Sequence, residues 1–387
     1  MANNDILGNS KQAGRTVMQQ ADEASSSTEN DPNHATLLDS EGDAVLRCVG
    51  SSSEVRIQFR VSTAVLRLAS SVFSNMFKPS FHEGQRLLHE DCPEFELEDD
   101  AQLMGLLLSI LHYRGNSSDY TMSAEKLARL SILCDKYDCT GALGPWIPAW
   151  FRHAMGVEHP THELGYLILA AYMFNDPMEF KAISRKAILQ LTPKFSAEWE
   201  KEEMCSILPF RVIGSIAGQI QRILDDLETE LQNVEQSLRR SSRCYDTWQL
   251  LCTQCGRELP GNAKKCHPCR NTELHTKYCT SETRVAGYFL ALQRAELWPT
   301  LGPFAICSVS DISLRFARAK RDARHTCEAG SFCPLATSLD LLSKKADEAQ
   351  IGVVGLCLYC VRNNDGAEEG GECAHEQRNR EAIRSEN

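Results

Sequence analysis

Residues 42–79 read GDAVLRCVGSSSEVRIQFRVSTAVLRLASSVFSNMFKP, and their periodicity decides the fold class. Val55, Ile57, Phe59 and Val61 alternate with Arg56, Gln58 and Arg60, the period-two pattern of a strand with one buried face. An apolar run at 43–49 precedes it across the polar turn 50–54, so the pair predicts an antiparallel hairpin. The period then changes. Leu66, Ala69, Val72, Phe73 and Met76 fall on one side of a single helix that Pro79 stops.

Working outward, residues 94–97 fit a third strand. The acidic run Glu98, Asp99 and Asp100 opens a helix predicted over 101–113, where the helix dipole favours carboxylates. Ser123 is placed to cap a helix running to about Tyr137. Strand pair, helix, strand and further helices make an α+β class, a short sheet flanked by helices. Residues 1–39 are rich in Ser, Asn and Asp without periodicity and read as a disordered arm, as does the tail 376–387. Two more helices are expected within 162–192, between Pro160 and Pro193. Residues 206–243 read as one long amphipathic helix. Its Ile213, Ala217, Ile220, Leu224, Leu227, Leu231, Val234 and Leu238 advance by alternate steps of four and three, the seam of a coiled coil. Packing of that face on the chain's own helices is the alternative.

Particular residues go further than the pattern. The segments GDAVLRCVG (42–50), FRVSTAVLRLASSVFSNMFKPSFHEGQ (59–85), LARLSILCDKYDC (127–139) and LGPWIPAWF (143–151) occur in that order. Together they resemble the BTB/POZ domain in the version common in filamentous fungi. The matching steps are Val61 to Leu66, Ser71 to Phe77 and Phe81 to Gly84, with CDKYDC (134–139) and the Trp146/Trp150 pair the most specific. Val61 stands where the family usually has His, a departure that does not touch the fold. The resemblance covers residues 40–152 and implies a helical extension over 153–205.

Composition bounds the rest. With 387 residues, 42% hydrophobic and 24% charged, the chain has the balance of a folded soluble protein and the length of more than one domain. A net charge of −11 excludes a general polyanion binder, although residues 239–325 carry 15 Lys and Arg against 7 Asp and Glu. Within them RFARAKRDAR (315–324) puts Arg318, Arg321 and Arg324 on one side of a helix, with Arg315 and Lys320 beside them. Such a row can meet phosphates, but a run this short is more often a solvated face, so nucleic acid is an unlikely partner. The N-terminus has no secretory pattern, and the longest apolar run, 103–111, is too short to span a bilayer. An intracellular location follows, nuclear or cytoplasmic, without a membrane.

In a reducing compartment clustered cysteines are metal ligands before they are disulfides. Twelve of the seventeen follow residue 243, marking 244–375 as a Cys-rich, zinc-stabilised region. Cys252-x2-Cys255 and Cys266-x2-Cys269 are two knuckles ten residues apart, the spacing of a zinc ribbon. Four thiolates close a tetrahedral cage with no open position, so the metal is structural. A looser second group contains His325, Cys327, Cys333, the knuckle Cys357-x2-Cys360, and Cys373 with His375. The segment GLCLYC (355–360) again resembles the fungal proteins, where an upstream His/Cys group precedes such a knuckle. That favours Cys327, Cys333, Cys357 and Cys360 as a second zinc set, with the upstream pair open among His325, Cys327 and Cys333, and Cys373 and His375 as competitors. Cys244, Cys279 and Cys307 read as buried small residues.

A RING finger is excluded because Cys266-His267-Pro268-Cys269 puts the His too close. No phosphate-binding, hydrolase or metalloprotease motif is present, and no base is indicated beside a Cys, so no enzyme is expected. The resemblance implies a protein-interaction module, an adaptor or scaffold that can self-associate as a homodimer. Many BTB proteins are substrate adaptors of cullin-based ubiquitin ligases and carry a hydrophobic-x-Glu motif in a loop after the first long helix. Phe81-His82-Glu83 satisfies it, making Phe81 and Glu83 the candidate partner-binding residues. A zinc-containing nuclear factor binding nucleic acid through 239–325 is the alternative.

Overall fold

A computed structural model of the chain describes residues 35–49, 56–156, 159–240, 249–252, 254–255, 257–260, 262–276, 281–298, 301–323, 334–363 and 373. The expected hairpin is formed by β2 (Ala44–Val49) and β3 (Arg56–Val61), with Leu46 opposite Phe59 and Ala44 opposite Val61, all four buried. β4 (Glu94–Asp100) lies parallel to β2 on its other side. It runs three residues past the expected end, and Asp100 both finishes it and caps the next helix, accepting from the N–H groups of Gln102 and Leu103. Residues 35–39, read as part of the disordered arm, are ordered, while 1–34 and the tail 376–387 lie outside the described residues. β1 (Thr36–Leu37) pairs in parallel with β3, giving the order β1-β3-β2-β4, and Leu38 is buried. The unpaired edge of β3 supplies the hydrogen bonds that a polar segment does not advertise.

The helix expected over the Leu66–Met76 face is two: α1 (Thr63–Ala69) and α2 (Ser71–Met76). Ser70 between them is extended, and its hydroxyl accepts from the Phe73 N–H, so the break carries its own cap. After α3 (His82–His89) and β4, the apolar helix α4 (Ala101–Leu111) buries Leu103, Met104, Leu107 and Leu108 against the sheet. α5 (Ala124–Lys136) starts at the predicted cap Ser123. The CDKYDC segment that ends it joins the two helical pieces. Tyr137 stacks on Phe73 with ring centroids 4.7 Å apart, its hydroxyl donates to Asp99 at 2.6 Å, and its carbonyl accepts from the Ser70 hydroxyl. In α6 (Ile147–Met155) the Trp150 indole is fully buried and donates to the Asp119 carbonyl at 2.7 Å.

The extension is helical as expected: α7 (Thr161–Met173) packs on α5, followed by α8 (Pro177–Gln190) and the short α9 (Phe195–Trp199). α10 (Phe210–Arg240) spans 31 residues. The three-stranded ribbon sheet is β5 (Gln249–Cys252), β6 (Glu258–Pro260) and β7 (Leu274–Thr276), in the order β6-β5-β7. The chain then returns as α11 (Ser281–Arg294), α12 (Leu301–Ile306), α13 (Val309–Arg321), α14 (Pro334–Gly352) and α15 (Leu358–Asn363).

These returning helices decide what the seam of α10 does. Ile216, Ile220, Leu224, Leu227, Leu231, Val234 and Leu238 are buried where α10 meets α8, α11, α12, α13 and α14. Tyr288 of α11, itself buried, donates to the Leu231 carbonyl at 2.9 Å. The expected coiled-coil seam is therefore an internal core face. A heptad stripe states that a helix needs apolar cover and says nothing of whose helices provide it. One continuous apolar cluster runs from Leu38 to Leu358, while the ribbon has its own small one of Cys252, Leu259 and Cys266.

Candidate functional site

The ribbon is built to bring four sulfurs together. β5 ends at Cys252, whose N–H donates to the Arg257 carbonyl and closes the first knuckle. The second closes in the same way, from the Cys266 N–H to the Asn271 carbonyl at 2.8 Å, helped by Arg270 in the left-handed region with φ of 57°. The Sγ atoms of Cys252 and Cys269 lie 3.2 Å apart, those of Cys255 and Cys266 3.5 Å, and those of Cys269 and Cys255 3.6 Å. These are far longer than an S–S bond of about 2.05 Å and close to the ~3.8 Å that a tetrahedron with 2.3 Å Zn–S bonds demands. All four predicted ligands meet, within 4.8 Å of one another.

The knuckles also prepare the charge. Burial raises the Cys252 thiol. Hydrogen bonds from the backbone of Cys255 and Gln254 and from the Cys269 and Asn271 side chains outweigh it and hold Cys252 down at about 6. The backbone N–H groups of Cys269 and Asn271 point likewise at Cys266 and Cys269. Neighbouring sulfurs oppose them, pushing Cys269 up to about 12. Four thiols at this spacing cannot all ionise by themselves; a divalent cation in their midst removes the conflict.

In the second group the described residues bring together the expected knuckle and one of the expected competitors. Cys357 and Cys360 flank the start of α15, and the thiol that joins them is Cys373, all three within 4.8 Å. Cys327, Cys333, His325 and His375 lie outside the described residues, as do Cys244 and Cys279. Burial first, then the Cys373 and Cys357 thiols, push Cys360 up to about 12. Among the described residues the Cys-rich stretch thus contains two thiol groups that can hold metal ions, one of four sulfurs and one of three.

The partner-binding residues expected in a loop straddle the end of that loop and the start of a helix. Phe81 is the residue before α3, 50% exposed, and Glu83 lies half-buried in its first turn. Glycine is required at position 84: a Cβ there would come within 1.9 Å of the Lys78 carbonyl oxygen. The helix start is thereby pressed against the turn after α2, and Phe81 is carried outward.

The basic row is spent within the chain. Arg315 and Arg318 both pair with Glu296, Lys320 with Asp340, and Arg321 with Asp322. Arg324 lies outside the described residues. Elsewhere, burial first and then nearby acids push the thiols of Cys48 and Cys205 up to about 12, so these behave as apolar filling. Cys134, Cys139 and Cys307 are buried too. Among the described residues no helix is long and apolar enough to cross a membrane.

In comparison with known proteins, no family model, no curated protein and no solved structure matches the chain.

Proposed function

We propose that this chain is an intracellular protein-interaction adaptor, in which a BTB-type module within residues 40–152 recruits a cullin-class partner and the zinc-holding ribbon extends a second surface. The observation that carries the reading is the placement of Phe81. A large apolar side chain stands half exposed at the head of α3, with Glu83 in the first turn behind it. A half-exposed aromatic at the head of a helix, with a carboxylate two residues on, suits an interface anchor. The order and spacing of the segments that resemble fungal BTB proteins support the same reading.

Zinc is the metal assigned to the four-thiol cage, since thiolates suit it and it brings no redox chemistry into a folding role. A closed cage of this kind supports a surface and leaves the ion no position for substrate. Such thiolates persist in a reducing compartment, which is where an adaptor of this class works. Binding of nucleic acid through 239–325 is the weaker reading, because Arg315, Arg318, Lys320 and Arg321 already have acidic partners.

The test is calorimetric titration of the full chain with a fungal cullin N-terminal domain, beside Phe81→Ala and Glu83→Ala. Loss of an anchor costs about 2 kcal/mol, so Phe81→Ala weakens a micromolar complex by roughly thirtyfold. Absence of heat from the wild-type chain, with its folding intact, overturns the cullin assignment.

A further inference from the structure

The segment that bears Cys357 and Cys360 is locked onto the helical extension by contacts that have no explanation in the ribbon. The Arg185 guanidinium on α8 donates to the Val353 carbonyl at 2.9 Å, and the Ser184 hydroxyl accepts from the Leu356 N–H at 2.8 Å. Gly355 passes so close to α8 that a Cβ would lie 1.7 Å from the Lys181 carbonyl oxygen. Arg362, on α15, donates to the Tyr172 carbonyl at the end of α7 and lies over the Tyr172 ring at 4.6 Å. Val353, Leu356 and Leu358 are buried beneath. Two thiols are thus held on a rigid frame, on the opposite side of the sequence from the helices that frame them.

Cys373 is thirteen residues beyond Cys360, yet its sulfur lies within 4.8 Å of both others. Closing a loop of that length costs entropy, and contacts among neutral thiols are weak compensation. A soft cation is strong compensation, because each thiolate–metal bond both closes the loop and neutralises charge.

We propose that Cys357, Cys360 and Cys373 form a second metal site of the zinc class, and that its ion clasps the chain beyond α15 onto the face of α7 and α8. The site is independent of the ribbon. Its three sulfurs leave the fourth coordination position to a ligand outside the described residues, where His325, Cys327 and Cys333 lie.

The experiment measures zinc bound per full-length chain, purified with its metal, for the wild type, Cys373→Ser and Cys269→Ser. Cobalt(II) then replaces zinc so that sulfur-to-cobalt absorption reports thiolate ligation directly. The expected wild-type content is two ions, and Cys373→Ser loses one while keeping the ribbon's. In that variant hydrogen exchange speeds up across 353–363 and is unchanged across 249–276. If Cys373→Ser keeps the wild-type metal content and cobalt spectrum, the second site is overturned and the ribbon's zinc is untouched. If Cys269→Ser alone lowers the content, from one ion to none, the clasp is likewise overturned. Cys357→Ser repeats the measurement at the framed end of the site, and an unchanged content there has the same meaning.

Discussion

His112 stands behind the start of α1 with both ring nitrogens engaged. Its Nε2 accepts from the Ser62 N–H at 3.0 Å, so Nδ1 carries the proton and donates to the Leu108 carbonyl at 2.8 Å. Only the neutral ring can do both. Burial lowers its pKa below the usual 6.5, against a smaller rise from the Leu108 carbonyl and Asp39, with Arg114 lowering it further. A depressed folded-state value means the unfolded chain takes up the proton first. The stabilisation is therefore complete above about pH 6.5 and is lost as pH falls through the depressed value. Urea unfolding near pH 7.5 and near pH 5 should show a loss of stability in the wild type that is smaller in His112→Gln. An equal loss in both would assign the pH dependence to other groups. Nothing around position 112 in the sequence announces this role, because Ser62 is fifty residues away. The same holds for Gly84 and Gly355, whose letters are visible but whose reason, a carbonyl oxygen where a Cβ would sit, exists only in the folded chain.

At the scale of elements, the ribbon and the long helix show opposite ways of being stable. The ribbon buries little beyond Cys252, Leu259 and Cys266, with Leu250, Ala263 and Leu274 partly covered. A core that small cannot offset the ordering of its chain, so the metal proposed for its four thiols would supply the missing stabilisation. Chelation at neutral pH should abolish amide protection across 249–276 while leaving α10 protected, as followed by hydrogen exchange with mass spectrometry. Persistent protection without metal would show that the strands hold themselves. The ribbon was legible because ligand spacing is local, as were the hairpin, the helix start after Asp100 and the cap at Ser123. The break at Ser70 was not, since Leu66, Ala69, Val72, Phe73 and Met76 keep the helical period straight through it. Its clue, a serine three residues before Phe73, is common in helices that do not break. β1 was missed for a related reason: a two-residue strand has no period, and only the β3 edge makes it one.

The whole molecule is tied together by α10. Its apolar face is covered by α8 from the extension and by α11, α13 and α14 from the far end of the sequence, so parts that read as separate share one core. Sequence stated the seam correctly from Ile220 to Leu238, but before it the buried residues are Val212 and Ile216 rather than Ile213 and Ala217. The cover was left open because a stripe does not name the helices that pack on it. The distinction can be measured. Leu231 is buried in the middle of the seam, and removing its side chain leaves a cavity that costs about 2–5 kcal/mol. If the cover is internal, Leu231→Ala lowers the denaturation midpoint by the same amount at every protein concentration. A seam shared between two chains would make both midpoints rise with concentration, since dissociation is then part of unfolding. Tyr288→Phe adds a second reading of the same contact. It deletes the hydroxyl that donates to the Leu231 carbonyl and is expected to cost about 1 kcal/mol, again independent of concentration. Because Leu231 and Tyr288 touch, the double variant should lose less than the two losses taken separately. Full additivity would mean that the Leu231 side chain and the Tyr288 hydroxyl act independently, the hydrogen bond being made to a backbone carbonyl that Leu231→Ala retains.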